Sequence, residues 1–192
     1  MTRTFIALEM NEALQGHLIG VIRQVAQALP RLNWVDPLGI HLTLAFLGEL
    51  DDVRLEQAMQ AASAAARQVE PFSYRLMRVN IFGSPRQPRV VWMGIDEKSG
   101  ALSRLHRILK QELEQRGFET EERPFSPHFT LARIKNPLSP DELRRLQDIL
   151  TGDQQELVSS DAYPARCVNV MKSELLRSGA HYTCLKMFSL QS

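Results

Sequence analysis

One five-residue segment occurs twice. His41-Leu42-Thr43-Leu44-Ala45 and His128-Phe129-Thr130-Leu131-Ala132 agree at four of five positions, and each sits in an apolar run of strand character. On a strand, residues two apart project from the same face, so each His shares a face with its Thr while the residue between them turns toward a core. A repeat at matching points of two half-chains calls for two lobes, each with its own copy of the strand. If a pseudo-two-fold axis relates the lobes, the copies face each other across a cleft that holds two imidazoles and two hydroxyls. The His-x-Thr core alone is weak, since His181-Tyr182-Thr183 is a third instance and is read as incidental, with no role assigned to His181. A repeat retained for leucine packing alone would leave the histidines idle; the longer agreement favours a function for them.

The surrounding pattern is consistent with this. Thr4 to Glu9 reads as a strand, and Asn11 caps a helix carried by Leu14, Leu18, Val21, Ile22 and Val25. After a loop with Trp34 and Pro37 comes the run Ile40 to Leu47, punctuated by Gly48. Asp51 or Asp52 caps an Ala-rich helix that ends before Pro71. Strands are expected over 73–82 and 89–95, with 83–88 as the turn between them. Leu102, Leu105, Leu109 and Leu113 mark a third helix closed by Gly117. A strand follows over 128–134. Ser139-Pro140-Asp141-Glu142 then has capping-box spacing for a fourth helix ending near Gly152. Residues 151–164 read as a polar loop before two last strands, 166–176 and 181–190. The second half partly repeats the first. Mixed helices and antiparallel strand pairs predict an α+β fold: two pseudo-symmetric lobes with outer helices around a central cleft, one domain over residues 1–192.

Charge narrows the partners. Among 192 residues, 23 Lys and Arg against 22 Asp and Glu leave a net charge of +1. Proteins that grip long stretches of nucleic acid draw their affinity from a basic excess that releases phosphate counterions. This chain has none, which leaves a small ligand or the end of a strand. No apolar run approaches the roughly 20 residues that cross a bilayer, and no secretory signal precedes Phe5. A cytoplasmic location is expected, with Cys167 and Cys184 as reduced core residues. His17 and His106 fall in helices and read as surface or helix-packing residues rather than ligands.

Two histidines with two hydroxyls suit phosphodiester cleavage. Imidazole titrates near 6.5, so one ring can act as base while the other acts as acid on opposite sides of phosphorus. The paired motifs resemble those of the 2H phosphoesterase superfamily, specifically RNA 2′,3′-cyclic phosphodiesterases, also known as 2′-5′ RNA ligases. The likeness runs through Arg3-Thr4-Phe5-Ile6-Ala7-Leu8, Trp34, Phe46-Leu47-Gly48-Glu49, Val91-Trp92-Met93-Gly94, Arg123-Pro124-Phe125-Ser126-Pro127 and Ala132-Arg133. It departs at Asn33, where a basic residue is common in relatives. The resemblance implies hydrolysis of RNA 2′,3′-cyclic phosphate ends to 2′-phosphates, and in the reverse sense 2′-5′ joining. It implies His41 as general acid, His128 as general base, and Thr43 and Thr130 as holders of phosphate oxygens. Arg133 would contact the phosphate or the terminal nucleoside. Phe46 and Trp34 are further candidates for the base-binding side, with core packing as the alternative for each. No metal or other cofactor is expected. The expected partners are RNA with a cyclic phosphate terminus or small cyclic nucleotides, and a monomer is expected. Two other readings stand beside it: a noncatalytic RNA-end or nucleotide-binding module on the same fold, and a metal hydrolase, for which the chain lacks a close ligand cluster.

Overall fold

Among the described residues, short polar side chains start three of the four α-helices. Asn11 accepts from the Leu14 N–H at 2.8 Å and opens α1 (Glu12–Ala28); Asp51 accepts from the Arg54 N–H at 2.8 Å and opens α2 (Asp52–Ala66). Ser139 and Glu142 close a reciprocal capping box on α4 (Pro140–Thr151). The third helix, α3 (Ala101–Gln115), stops at Gly117, whose positive φ of 73° only glycine adopts without strain. The structure, a computed structural model, describes residues 1–154, 157–158, 161–176 and 179–191.

The strands are β1 (Thr2–Leu8), β2 (Asn33–Trp34), β3 (Leu42–Leu50), β4 (Phe72–Ser84), β5 (Gln87–Asp96), β6 (His128–Arg133), β7 (Tyr163–Ala165), β8 (Cys167–Leu176) and β9 (Gly179–Ser189). They form two antiparallel sheets, ordered β3-β1-β8-β9 and β2-β6-β5-β4-β7. The expected α+β architecture is therefore present, with four corrections in detail. Asn33–Trp34 and Tyr163–Ala165, read as loop, are short strands that pair at the sheet edges. The turn in 83–88 shrinks to Pro85-Arg86, because β4 and β5 run on until Ser84 meets Gln87. Gly48 does not end β3: it lies inside the strand with φ 72°, beside a bulge at Leu47. Cys167 is buried as expected, but Cys184 is exposed, and the two free thiols do not face each other in the β8–β9 register.

The two lobes do not coincide with the two halves of the chain. The β4–β5 hairpin of the first half joins the His128 strand, β6; the β8–β9 hairpin of the second half joins β1 and, through it, the His41-bearing strand β3. Helices are exchanged in the same way, with α1 packing beside α4 and α3 beside α2. The equivalence holds for motif strands and helix pairs but not strand by strand, since β1 separates β3 from its hairpin while β6 touches β5 directly. One apolar core spans both sheets, from Leu14, Leu18 and Val21 of α1 to Leu105, Leu109 and Leu113 of α3. The buried Ala58, Ala61, Ala62, Ala65 and Ala66 let α2 approach its sheet closely. Among the described residues no helix is long and apolar enough to cross a membrane.

Candidate active site

The two motif strands meet where β3 passes β6, and the Val35 N–H donates to Leu131 O at 2.9 Å beside that contact. His41 and His128 are held in the same way. The Nδ1 of His41 lies 2.8 Å from Gly39 O, and the Nδ1 of His128 lies 2.7 Å from Ser126 O. Each carbonyl belongs to the residue two positions upstream. A carbonyl only accepts, so Nδ1 carries the hydrogen and Nε2 is left to take or give a proton. Both rings are therefore fixed in the tautomer that acid–base work at Nε2 requires.

A shared irregularity selects what stands beside each His. In β6, Gly94 faces His128, Trp92 faces Thr130 and Val90 faces Arg133, while Met93 and Val91 face Phe129 and Ala132. Gly94, Trp92 and Val90 alternate regularly along β5, so their partners His128, Thr130 and Arg133 all project from one face. The odd spacing from Thr130 to Arg133 is absorbed at Leu131, the extra residue of a bulge. The same happens in β3: Ala7 faces Thr43 and Phe5 faces Phe46, with Leu44 as the extra residue between Thr43 and Ala45. Leu44 and Leu131 are the same position of the repeated motif. In each lobe the bulge places the residue five after the His on the His/Thr face, and that residue is Phe46 in one lobe and Arg133 in the other.

Phe46 is 59% exposed, 6.0 Å from the Phe5 ring, and does not serve the core. Trp34 takes the packing alternative instead. It faces Ala132 on the side opposite Arg133, packs against the core and donates its indole N–H to Leu29 O at 3.1 Å. Thr43 and Thr130 are half-buried. His17, with Nε2 3.0 Å from Leu157 O, and His106, stacked 3.9 Å from Phe125, are packing residues as expected. His181 is exposed, across the ladder from Glu174.

The aromatic surroundings of the two rings were not legible beforehand. Phe5 lies 4.4 Å from His41, and Tyr182, on β9 of the same sheet, meets it edge-on at 4.8 Å. Phe82 and Trp92, at 4.8 and 5.8 Å, flank His128. Tyr182 is the middle residue of the third His-x-Thr segment, and it is this ring, not His181, that meets His41. Burial is the main cause that holds the His41 pKa below the usual imidazole value. The Gly39 hydrogen bond opposes it, and the nearby charges of Arg133 and His128 add to it. Arg133 and His128 thus both act on His41 through space, so the three groups share one field.

Comparison with known proteins gives the family and the fold. The 2′-5′ RNA ligase superfamily model matches residues 12–177. The RNA 2′,3′-cyclic phosphodiesterase of Methanothermobacter thermautotrophicus is 31% identical over 188 residues, covering 98% of this chain and 98% of that protein. The enzyme of the same name from Thermus thermophilus is 32% identical over 197 residues, with coverages of 98% and 90%. Among solved structures, TT0787 of Thermus thermophilus superposes with a TM-score of 0.80 at 26% identity, covering 98% and 97% of the two chains. The Escherichia coli LigT complex with 3′-AMP superposes at 0.74 with 23% identity over 100% and 99%, a likeness of fold. With antiparallel sheets and helices in the 2H phosphoesterase arrangement, the chain belongs to the 2′-5′ RNA ligase superfamily.

Proposed function

We propose that this chain is an RNA 2′,3′-cyclic phosphodiesterase that opens the cyclic end to a 2′-phosphomonoester by two-histidine, metal-independent acid–base catalysis. The observation that carries the reading is the paired geometry: two His–Thr strands in contact, each ring locked through Nδ1 to a carbonyl two residues upstream, with the Arg133 charge felt at His41. The relatives' names give the substrate class.

In the reaction, water attacks phosphorus and the P–O3′ bond breaks. His128 Nε2 takes the proton from water, and His41 Nε2 gives its proton to the departing O3′. Thr43 and Thr130 donate hydrogen bonds to the non-bridging oxygens, and Arg133 offsets their charge. The product keeps phosphate on the 2′ oxygen and regains a 3′ hydroxyl. The same displacement, with a 5′ hydroxyl of another strand in place of water, gives 2′-5′ joining. Phe46, exposed on the same face, stacks on the terminal base.

Product analysis on a defined oligonucleotide with a 2′,3′-cyclic end tests this. A 2′-phosphate product in EDTA is expected, with His41→Ala and His128→Ala each slower by about 10²–10⁴-fold. Full activity in either variant ends the two-histidine reading. A 3′-phosphate product reverses the leaving oxygen, and EDTA sensitivity with metal rescue favours a metal hydrolase. Tight binding without turnover by the unmodified protein favours a noncatalytic RNA-end module.

A further inference from the structure

Arg133 faces two places. Its charge reaches His41, and it also lines a groove of about 340 Å³ together with Arg31, Asn33, Lys135, Asn136 and Glu142. We propose that this groove holds the phosphodiester one nucleotide upstream of the reacting end, so that the site takes RNA strands in preference to cyclic mononucleotides. The proposal rests on the phosphodiesterase reading above.

The groove is built by the β2–β6 ladder. Asn33 stands directly opposite Arg133, so their side chains leave the same face. Past β6 the chain stays beside β5 for a further residue, because the Ile134 N–H donates to Arg89 O at 2.8 Å. Lys135 therefore follows Arg133 two residues on, a step of roughly 7 Å in extended chain. Neighbouring phosphates of an extended RNA strand are separated by a comparable step.

Charge in the groove is unevenly committed. Arg31 is paired with Glu142 at 2.9 Å, and that carboxylate also caps α4. Arg133 and Lys135 join no ion pair among the described residues. Two uncommitted cations suit a monoanionic diester beside the reacting phosphate, and the amides of Asn33 and Asn136 suit ribose hydroxyls or base edges. The volume lies at the small end of ligand clefts, ~300–1,000 Å³, enough for one nucleotide. Continuity with the catalytic face through Arg133 favours an RNA strand over an acidic peptide. A single upstream contact also agrees with a net charge of +1.

The test compares kcat/KM for uridine 2′,3′-cyclic phosphate with that for a trinucleotide bearing the same 3′ end, at several salt concentrations. The unmodified protein is expected to favour the trinucleotide. In Lys135→Ala the trinucleotide-to-mononucleotide ratio should fall about three- to tenfold, and Lys135→Arg should restore it. Loss of one phosphate contact should also flatten the dependence of log kcat/KM on log salt for the trinucleotide by about 0.7. Equal use of both substrates by the unmodified protein, or an unchanged ratio in Lys135→Ala, overturns the groove. An acidic peptide that competes with the trinucleotide but not the mononucleotide, and loses this in Lys135→Ala, overturns the RNA assignment. Inactivity of the unmodified protein on both substrates overturns the phosphodiesterase reading instead.

Discussion

His41 gives up its proton more readily than a free imidazole, first because burial disfavours the charged ring and then because Arg133 and His128 stand near it. A general acid must carry its proton when the bond breaks. A bound phosphodiester supplies the missing negative charge, opposing Arg133 and raising the His41 pKa in the complex. The alkaline limb of kcat is therefore expected at higher pH than that of kcat/KM, which reports the free protein; coincident limbs would sink this role for His41. Arg133→Gln removes a cation that depresses the ring, so the His41 titration followed by NMR in the free protein should move upward. A downward move would contradict the shared field. The same depression has a stability consequence. Below pH ~6.5 the unfolded chain protonates this ring before the native protein does. The contribution of His41 to stability is thus whole above that pH and declines as pH falls through the lowered native value. The two His-x-Thr segments were legible as a candidate set, and the structure brings their strands together. Arg133 came from family likeness alone, because regular alternation would have put it on the opposite face from His128.

The bulge is the device that corrects that parity. Leu44 and Leu131 each add one residue to a strand, and each brings the following chain back into phase so that Phe46 or Arg133 joins the His/Thr face. Deleting Leu131 should straighten β6 and keep His128, Thr130 and Arg133 on one face, because Ala132 and Arg133 then follow Thr130 in regular alternation opposite Val91 and Val90. Activity well above that of Arg133→Ala, in a protein with native circular dichroism, is the expected outcome; a loss equal to that of Arg133→Ala would contradict this account of the bulge. At the far end of the hairpin supporting β6, Gly83 has φ 100° and a Cβ there would meet Gln87 O at 2.5 Å. Gly83→Ala should cost on the order of 1–3 kcal/mol in urea unfolding, with little change if the hairpin end opens freely. Helix caps were readable because each is a local contact over three residues. The edge strands at Asn33–Trp34 and Tyr163–Ala165 were not, because two or three residues carry no periodicity and exist only through their partners.

Across the whole molecule, the halves of the chain are interlaced. Each half contributes its motif strand to one sheet and its hairpin to the other, so neither half completes a sheet alone. Cutting between Lys98 and Ser99, in the loop between β5 and α3, should give fragments that lack cooperative unfolding separately and regain it, with activity, when mixed. Independent folding of either fragment would show that the exchange is dispensable. The interlacing also explains why Tyr182 was not legible as a neighbour of the site: its chain neighbourhood is a plain strand, and only the pairing of β8–β9 into the sheet of β1 and β3 sets it against His41. By itself the sequence determined the order of the main helices and strands, the α+β class and the two His–Thr faces, because helix caps, periodicity and strand parity act over a few residues. Tertiary structure alone decided which hairpin joins which motif strand and where alternation slips by one residue. It also decided that Phe46 meets solvent while Trp34 meets the core. Those outcomes depend on pairing between segments far apart in the chain, where the competing registers differ by packing and not by local preference.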